Sequence, residues 1–286
     1  MKSYLKIELK KAFASRMFLI TLLIGLAIAA VSVWQTVDDY FWWVEQEARA
    51  AAASDTVYAP THLSSLYREW MGQDNSHAFP ALFYMLLPLL AGLAYGWSYF
   101  EERRSGYVMN AVVRSRKKSQ YFLAKYIAVF LAGGVTILLP LVCSFLALAC
   151  FEPAYPPEHF DTLYHDVSSH FLRDVYYASP LAYVLYVMAL DFVFAGLLAA
   201  ASMALAFFLK NKFAVILLPF LFLLWMDYFQ GYVWKWVSDA EISPLNFLRG
   251  CEGASTYWEA ILIWMIFLLA FSLGTVWRKG AKDDVL

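Results

Sequence analysis

Charged residues divide the chain into long apolar stretches joined by short polar ones. A helix crossing a bilayer needs about 20 mostly apolar residues. Six stretches reach that length, at about 17–37, 79–100, 122–151, 178–209, 213–234 and 258–277. Asp191 interrupts the fourth and Asp227 the fifth. The pattern predicts an all-α polytopic membrane protein, a single transmembrane domain over residues 1–286. The short polar connections leave no room for a separate domain with its own core.

Residues 1–16 carry a different pattern. Lys2, Lys6 and Lys10 lie four apart, while Leu5, Leu9, Ala12 and Phe13 line another face. This is an amphipathic helix with a basic polar face, the kind that lies in the membrane interface. The apolar run that follows exceeds the roughly 7–15 residues of a signal-peptide core. It continues into Trp34 and the cluster Tyr40, Phe41, Trp42 and Trp43, and reads as a retained first helix with an aromatic belt at its outer end.

Composition sharpens the class. The chain is 62% hydrophobic and 16% charged, against roughly 25% charged in soluble domains. A water-soluble globule, a disordered tail and a nucleic-acid-binding module are set aside. The net charge of −1 conceals a strong asymmetry. Seventeen of the 22 basic residues fall on one side of the six-span layout, in the N-terminal segment, the second-to-third connection, the fourth-to-fifth turn (Lys210, Lys212) and the C-terminal end. By the positive-inside rule that side is cytoplasmic and holds both ends of the sequence. It carries +12, the outer side −11, and two acids remain within the spans. The expected location is the cell membrane, as in the bacterial cytoplasmic membrane.

Little in the outer connections points to chemistry. His159, Asp161, His165, Asp166 and His170 match no metal-ligand spacing and read as a solvated loop. Cys143, Cys150 and Cys251 form no disulfide framework. Cys150 and Cys251 are placed either to pair or to remain free buried thiols, the latter favoured. No phosphate loop, HExxH or GxSxG occurs, so P-loop hydrolysis of ATP is not expected from this chain.

Within the spans, Gly92 and Gly96, Gly133 and Gly134, and the run Gly196 to Ala206 mark faces where helices approach closely, inside the subunit or against a second one. Pro88, Pro140 and Pro219 should kink their helices. An Asp at a helix centre costs roughly 2.5–3.5 kcal/mol to insert. Asp191 and Asp227 are therefore candidate pathway or gating residues, or else structural acids satisfied near the outer interface.

The second-to-third connection, residues 101–121, carries the most information. Glu101, Glu102, Arg103, Arg104 and Gly106 precede an apolar patch from Tyr107 to Val113, followed by Arg-Ser-Arg-Lys-Lys. A solvated loop would not need that patch. A short helix along the membrane, with one face offered to a partner, explains it. Glu101-Glu102 invites comparison with the EExxxR motif of membrane-embedded proteases. Gly106 stands where the Arg should be, and no span contains a histidine.

At three places the sequence resembles the permease subunits of type-2 ATP-binding-cassette (ABC) transporters. These are KIELKKAFASRMFLITLLIG at the start, FEERRSGYVMNAVVRSRKKSQYFLAKY around the second connection, and Ser243-Pro244 before the last span. The layout is similar over the whole chain. The resemblance implies an elbow helix at 1–16, a coupling helix within 101–121, and short re-entrant helices between spans five and six. It implies that Glu101, Glu102, Arg103, Arg104 and Gly106 contact a separate cytoplasmic ABC ATPase subunit, present in two copies. A second permease chain, identical or related, completes the pathway. This chain binds no cofactor and is not an enzyme by itself; ATP and Mg belong to the ATPase. The substrate of such an exporter is expected to be an antimicrobial peptide or other amphiphile. A non-transporting membrane scaffold or sensor is the alternative from a different class, and an intramembrane protease a weaker one.

Overall fold

The computed structural model describes residues 2–53, 64–74, 77–114, 118–156, 172–238, 240–250 and 256–282. These residues hold α-helices and no strand. Six helical segments are long and apolar enough to cross a membrane: Arg16–Ala53, Ala78–Arg104, Lys118–Leu148, Pro180–Leu205, Lys212–Trp236 and Trp258–Gly280. The chain is an all-α, six-span membrane protein.

An amphipathic helix, α1 (Lys2–Phe13), comes first. It breaks at Ala14 and Ser15, where the Ser15 hydroxyl accepts from the Phe18 amide at 3.1 Å, and α2 (Arg16–Ala53) begins. The apolar run of α2 ends near Val37, yet the helix continues for another sixteen residues. Ala and Glu dominate the last of these, no Gly or Pro interrupts them, and they are strong helix formers. At 1.5 Å per residue α2 is about 57 Å long, so its outer end projects well past the membrane.

The second span is composite. After the four-residue helix α3 (Leu66–Glu69), α4 (Ala78–Ala91) passes into a π-helical turn at Gly92–Gly96 and then α5 (Ser98–Arg104). Pro88 lacks the amide that would bond the carbonyl one turn before it, and the π-helical turn follows one turn after it. The connection at the end of α5 turns at Gly106, whose φ is +71°, into α6 (Tyr107–Arg114). Then come α7 (Lys118–Leu148), α8 (Arg173–Ala178), α9 (Pro180–Leu205), α10 (Lys212–Tyr232), α11 (Pro244–Phe247) and α12 (Trp258–Thr275). Pro140 and Pro219 lie inside α7 and α10.

The core lies where α7 and α9 press together, and the small residues make that contact possible. A Cβ on Gly133 would come 2.5 Å from the Ala199 Cβ, and one on Gly96 2.9 Å from the Ala199 carbonyl oxygen. A Cβ on Gly92 would meet the Ser202 hydroxyl, and one on Gly196 the Phe130 ring. The glycine pairs thus serve packing inside the subunit, where close backbone approach replaces the missing hydrophobic drive of lipid. α10 and α12 lie outside this core and expose Leu221, Trp225, Ile263, Ile266 and Phe267 along their length.

Short elements close the outer end. Trp70, fully buried, donates its indole N–H to the Leu141 carbonyl and the Ser144 hydroxyl at 3.2 and 3.1 Å. The Gly72 carbonyl accepts from the Gly250 amide at 3.0 Å, and Tyr183 donates to the Gly250 carbonyl at 2.9 Å. In the fifth-to-sixth connection a 3₁₀ turn at Trp234–Trp236 and the single turn of α11 stand where re-entrant helices were expected. Ser243-Pro244 starts α11, the Gln230 side chain accepts from the Ile242 and Ser243 amides, and Phe247 packs edge-on against Phe194.

Candidate functional site

At the end of the bundle opposite this cap, α1, α5 and α7 bring together charges that the sequence keeps far apart. Lys125 lies two turns into α7 with no solvent exposure. Its ammonium donates to Glu8 Oε2 on α1 at 3.0 Å and to the Tyr95 hydroxyl at 3.0 Å. It also lies 2.9 Å from Glu102 Oε1 on α5. Lys11 closes the circuit, 3.0 Å from Glu8 Oε1 and 3.3 Å from Glu102 Oε1. Tyr121 donates to the other Glu102 oxygen at 2.6 Å.

Two cations thus face two carboxylates, and the hub is electrically neutral. Removing charges from water is costly, and only full pairing and hydrogen bonding offset the loss. Here each carboxylate accepts from both lysines and from a tyrosine. Burial pulls the Lys11 ammonium down, but the Tyr107 hydroxyl, Glu102 and Glu8 outweigh it and hold that pKa above the ordinary lysine range. The Lys11 ammonium also lies 3.9 Å from the centre of the Tyr107 ring, the first residue of α6.

The five residues singled out in the connection take distinct places. Glu102 points into the hub and is largely shielded. Glu101 pairs with Lys212 at 2.9 Å, and Lys212 also lies over the Trp97 ring. Arg103 donates to the carbonyls of Ala206 and Phe207 at 3.4 and 3.3 Å, where α9 ends. Arg104 and Gly106 are exposed, and nothing lies within 4 Å of a Cβ placed on Gly106. Beyond them α6 is two-faced: Val108 is buried and Ala111 and Val112 pack on the core, while Tyr107 and Met109 are exposed. The connection is therefore fastened to α1 and α7 through Glu102, and to the α9–α10 turn through Glu101 and Arg103. Arg114 closes α6, and residues 115–117 lie outside the described residues.

Glu8, Lys11, Tyr95, Tyr121 and Lys125 were not singled out by the sequence pattern. One signal for them exists: a lysine inside a span demands an acid, and Glu8 is the lone acid among the first sixteen residues.

The two acids within the spans differ sharply. Asp191 on α9 has no solvent exposure and accepts from the Tyr84 hydroxyl of α4 at 2.9 Å, closing a contact between two spans. Asp227 is half-buried near the outer end of α10.

A second charged group sits at the outer end. His77 bridges Asp74 at 2.6 Å and Asp39 on α2 at 2.8 Å. The hydrogen bond to Asp74 outweighs burial and, with Asp39, raises the imidazole to about 9. Burial lifts the nearby Glu152 carboxyl to about 7, Ser64 opposing and Glu69 and Asp74 assisting. Burial likewise raises Glu69, with Arg68 pulling against it. Among the described residues no group of three His, Cys, Asp or Glu side chains could hold a metal ion. His159, Asp161, His165, Asp166, His170 and Cys251 lie outside those residues, and with Cys251 any pairing to Cys150; Cys150 itself is exposed, not buried as expected.

Residues 65–285, more than three quarters of the chain, match the model of a family described as "Protein of unknown function (DUF2705)". No curated protein and no solved structure matches the chain. The chain belongs to the DUF2705 family.

Proposed function

We propose that this member of the DUF2705 family is the membrane-spanning permease subunit of an ATP-driven ABC exporter. The reading rests on one arrangement above all, the fastening of the Glu101–Arg114 connection to three parts of the bundle. A two-faced helix, α6, follows the second span and presents Tyr107 and Met109 outward. Behind it Glu102 is tied to α1 and α7, and Glu101 and Arg103 to the α9–α10 turn. A force applied to α6 by an ATPase would reach four other helices through ion pairs and hydrogen bonds rather than through a slack loop. The hydrolysis, with its ATP and Mg, belongs to that partner, two copies of which would serve two permease chains.

One surface feature supports an amphiphilic substrate. A wholly apolar hollow of about 150 Å³ lies between α9, α10 and α12, bounded by Leu198, Pro219, Phe222, Trp264 and Phe271. Such a surface suits the apolar part of an amphiphile, an antimicrobial peptide among them. Asp227, half-buried near the end of α10, is then the acid of the membrane region against which a cationic part can act, while Asp191, sealed from solvent and held by Tyr84, ties α4 to α9.

The test is co-expression with the P-loop ATPase encoded nearest to this chain, followed by purification. We expect the two to co-purify, with ATP turnover raised by this chain. Glu101→Lys, which leaves the Glu102 hub in place, should weaken that coupling while the chain stays in the membrane. Unchanged docking and turnover would instead favour a scaffold or sensor.

A further inference from the structure

The inward and outward faces of α1 have different tasks. Glu8 and Ala12 are buried and Leu5 and Leu9 half-buried against the bundle. On the opposite side Lys6, Ile7 and Lys10 are exposed, Ile7 by 51%, and Arg16 is exposed at the start of α2. Five other cations at this end are engaged within the chain, Lys11 and Lys125 in the hub, Lys212 with Glu101, Arg103 on the carbonyls closing α9, and Lys279 over the Phe208 ring, whereas Arg104 is exposed. Lys6, Lys10 and Arg16 make no ion pair with another described residue.

Their level is set by α2. Directly after Arg16 an exposed apolar stripe begins with Leu19, Ile20, Leu23 and Ile24. That stripe faces lipid tails, so Arg16 marks the height at which tails give way to headgroups. α1 is joined to it by a two-residue break and is packed against α7 and α2. Its basic face with the apolar Ile7 between lysines therefore lies at headgroup level.

We propose that the outward face of α1, with Lys6, Lys10 and Arg16, is a docking surface for anionic phospholipid headgroups. Charge complementarity selects that occupant: three cations with no ion-pair partner among the described residues meet a negative leaflet surface, and Ile7 enters the boundary beneath it. The same helix carries Glu8 and Lys11 into the hub on its inward face. Lipid charge thus steadies the support on which the 101–114 connection rests.

The experiment needs no ATPase and so stands or fails independently of the transport reading. Full-length protein is reconstituted in liposomes of phosphatidylcholine alone and of equimolar phosphatidylcholine and phosphatidylglycerol, and amide exchange is followed in α1. A basic side chain at an anionic surface favours the bound state by roughly fivefold. Exchange in α1 should then slow by about tenfold or more in the anionic liposomes, and added salt should erase the difference. The variant Lys6→Gln/Lys10→Gln/Arg16→Gln should exchange alike in both lipids, with α7 exchanging as in the natural sequence. Equal exchange of natural α1 in both lipids, or a lipid difference that survives the triple variant, overturns the proposal.

Discussion

Lys125 on α7 and Glu8 on α1 stand 117 residues apart in the chain, and their side chains meet at 3.0 Å with Lys125 fully buried. Removing one partner of a buried ionic group leaves the other charge uncompensated, at a cost of about 3–5 kcal/mol. Lys125→Met should lose stability of that order, read as a lower melting temperature in detergent. Glu8→Gln combined with Lys125→Met should cost less than the sum of the single changes. Strict additivity in that cycle would show that the two groups do not interact.

Gly106 and Gly133 are sensitive for different reasons. Gly106 holds a φ of +71° with nothing within 4 Å of a Cβ placed there, so Gly106→Ala meets only the backbone penalty of about 1–2 kcal/mol. A Cβ at position 133 collides with Ala199 at 2.5 Å. Gly133→Ala must part α7 from α9, and overpacking of this kind costs about 1–3 kcal/mol. Asn, which tolerates the left-handed region, should recover part of the loss at position 106 and none at 133. Melting curves of the four variants check this.

The outer end should loosen as pH rises. His77 is raised from its ordinary 6.5 to about 9, so the stability it lends is complete below pH 6.5 and is lost as pH climbs through 9. Glu152, raised from 4.5 to about 7, acts in the same direction at lower pH: its contribution is present below 4.5 and lost as pH rises through 7. Amide exchange at residues 66–74 should accelerate across both windows. His77→Gln should remove the alkaline window and leave the acidic one.

The Tyr84–Asp191 contact should hold α4 against α9. Tyr84→Phe leaves Asp191 buried without that donor, and losing a buried partner costs about 1–3 kcal/mol. Asp191→Asn retains an acceptor and should be milder. A fall in melting temperature ordered Tyr84→Phe above Asp191→Asn checks the contact; equal and negligible changes would deny it any structural part.

The spans were readable because hydropathy and length report directly on the bilayer. The extension of α2 past Val37 was only half readable: the Ala- and Glu-rich stretch from Glu45 to Ala53 announces a helix, but not its continuity with the span. The glycine pairs announced close packing, while their partners Ala199, Ser202 and Phe130 lie too far along the chain for spacing to identify. The same distance hid the hub. Glu102 stood out as part of a charged connection, yet its inward aim depends on Lys11 and Lys125, which belong to other helices. Asp191 stood out by composition alone, and its partner Tyr84 is an unremarkable aromatic in an aromatic-rich span.

The proposed coupling role would use the exposed face of α6, which can be altered without touching the hub. Met109 is 51% exposed and takes no part in the ion pairs behind it. The decisive measurement is ATP turnover by the co-purified ATPase with Met109→Glu in place of the natural chain. We expect the variant to melt like the natural protein while docking falls and stimulated turnover drops by about tenfold, as for loss of an interface residue worth about 1.4 kcal/mol. Full docking and full turnover with Met109→Glu, or no ATPase held by the natural chain, would contradict the assignment.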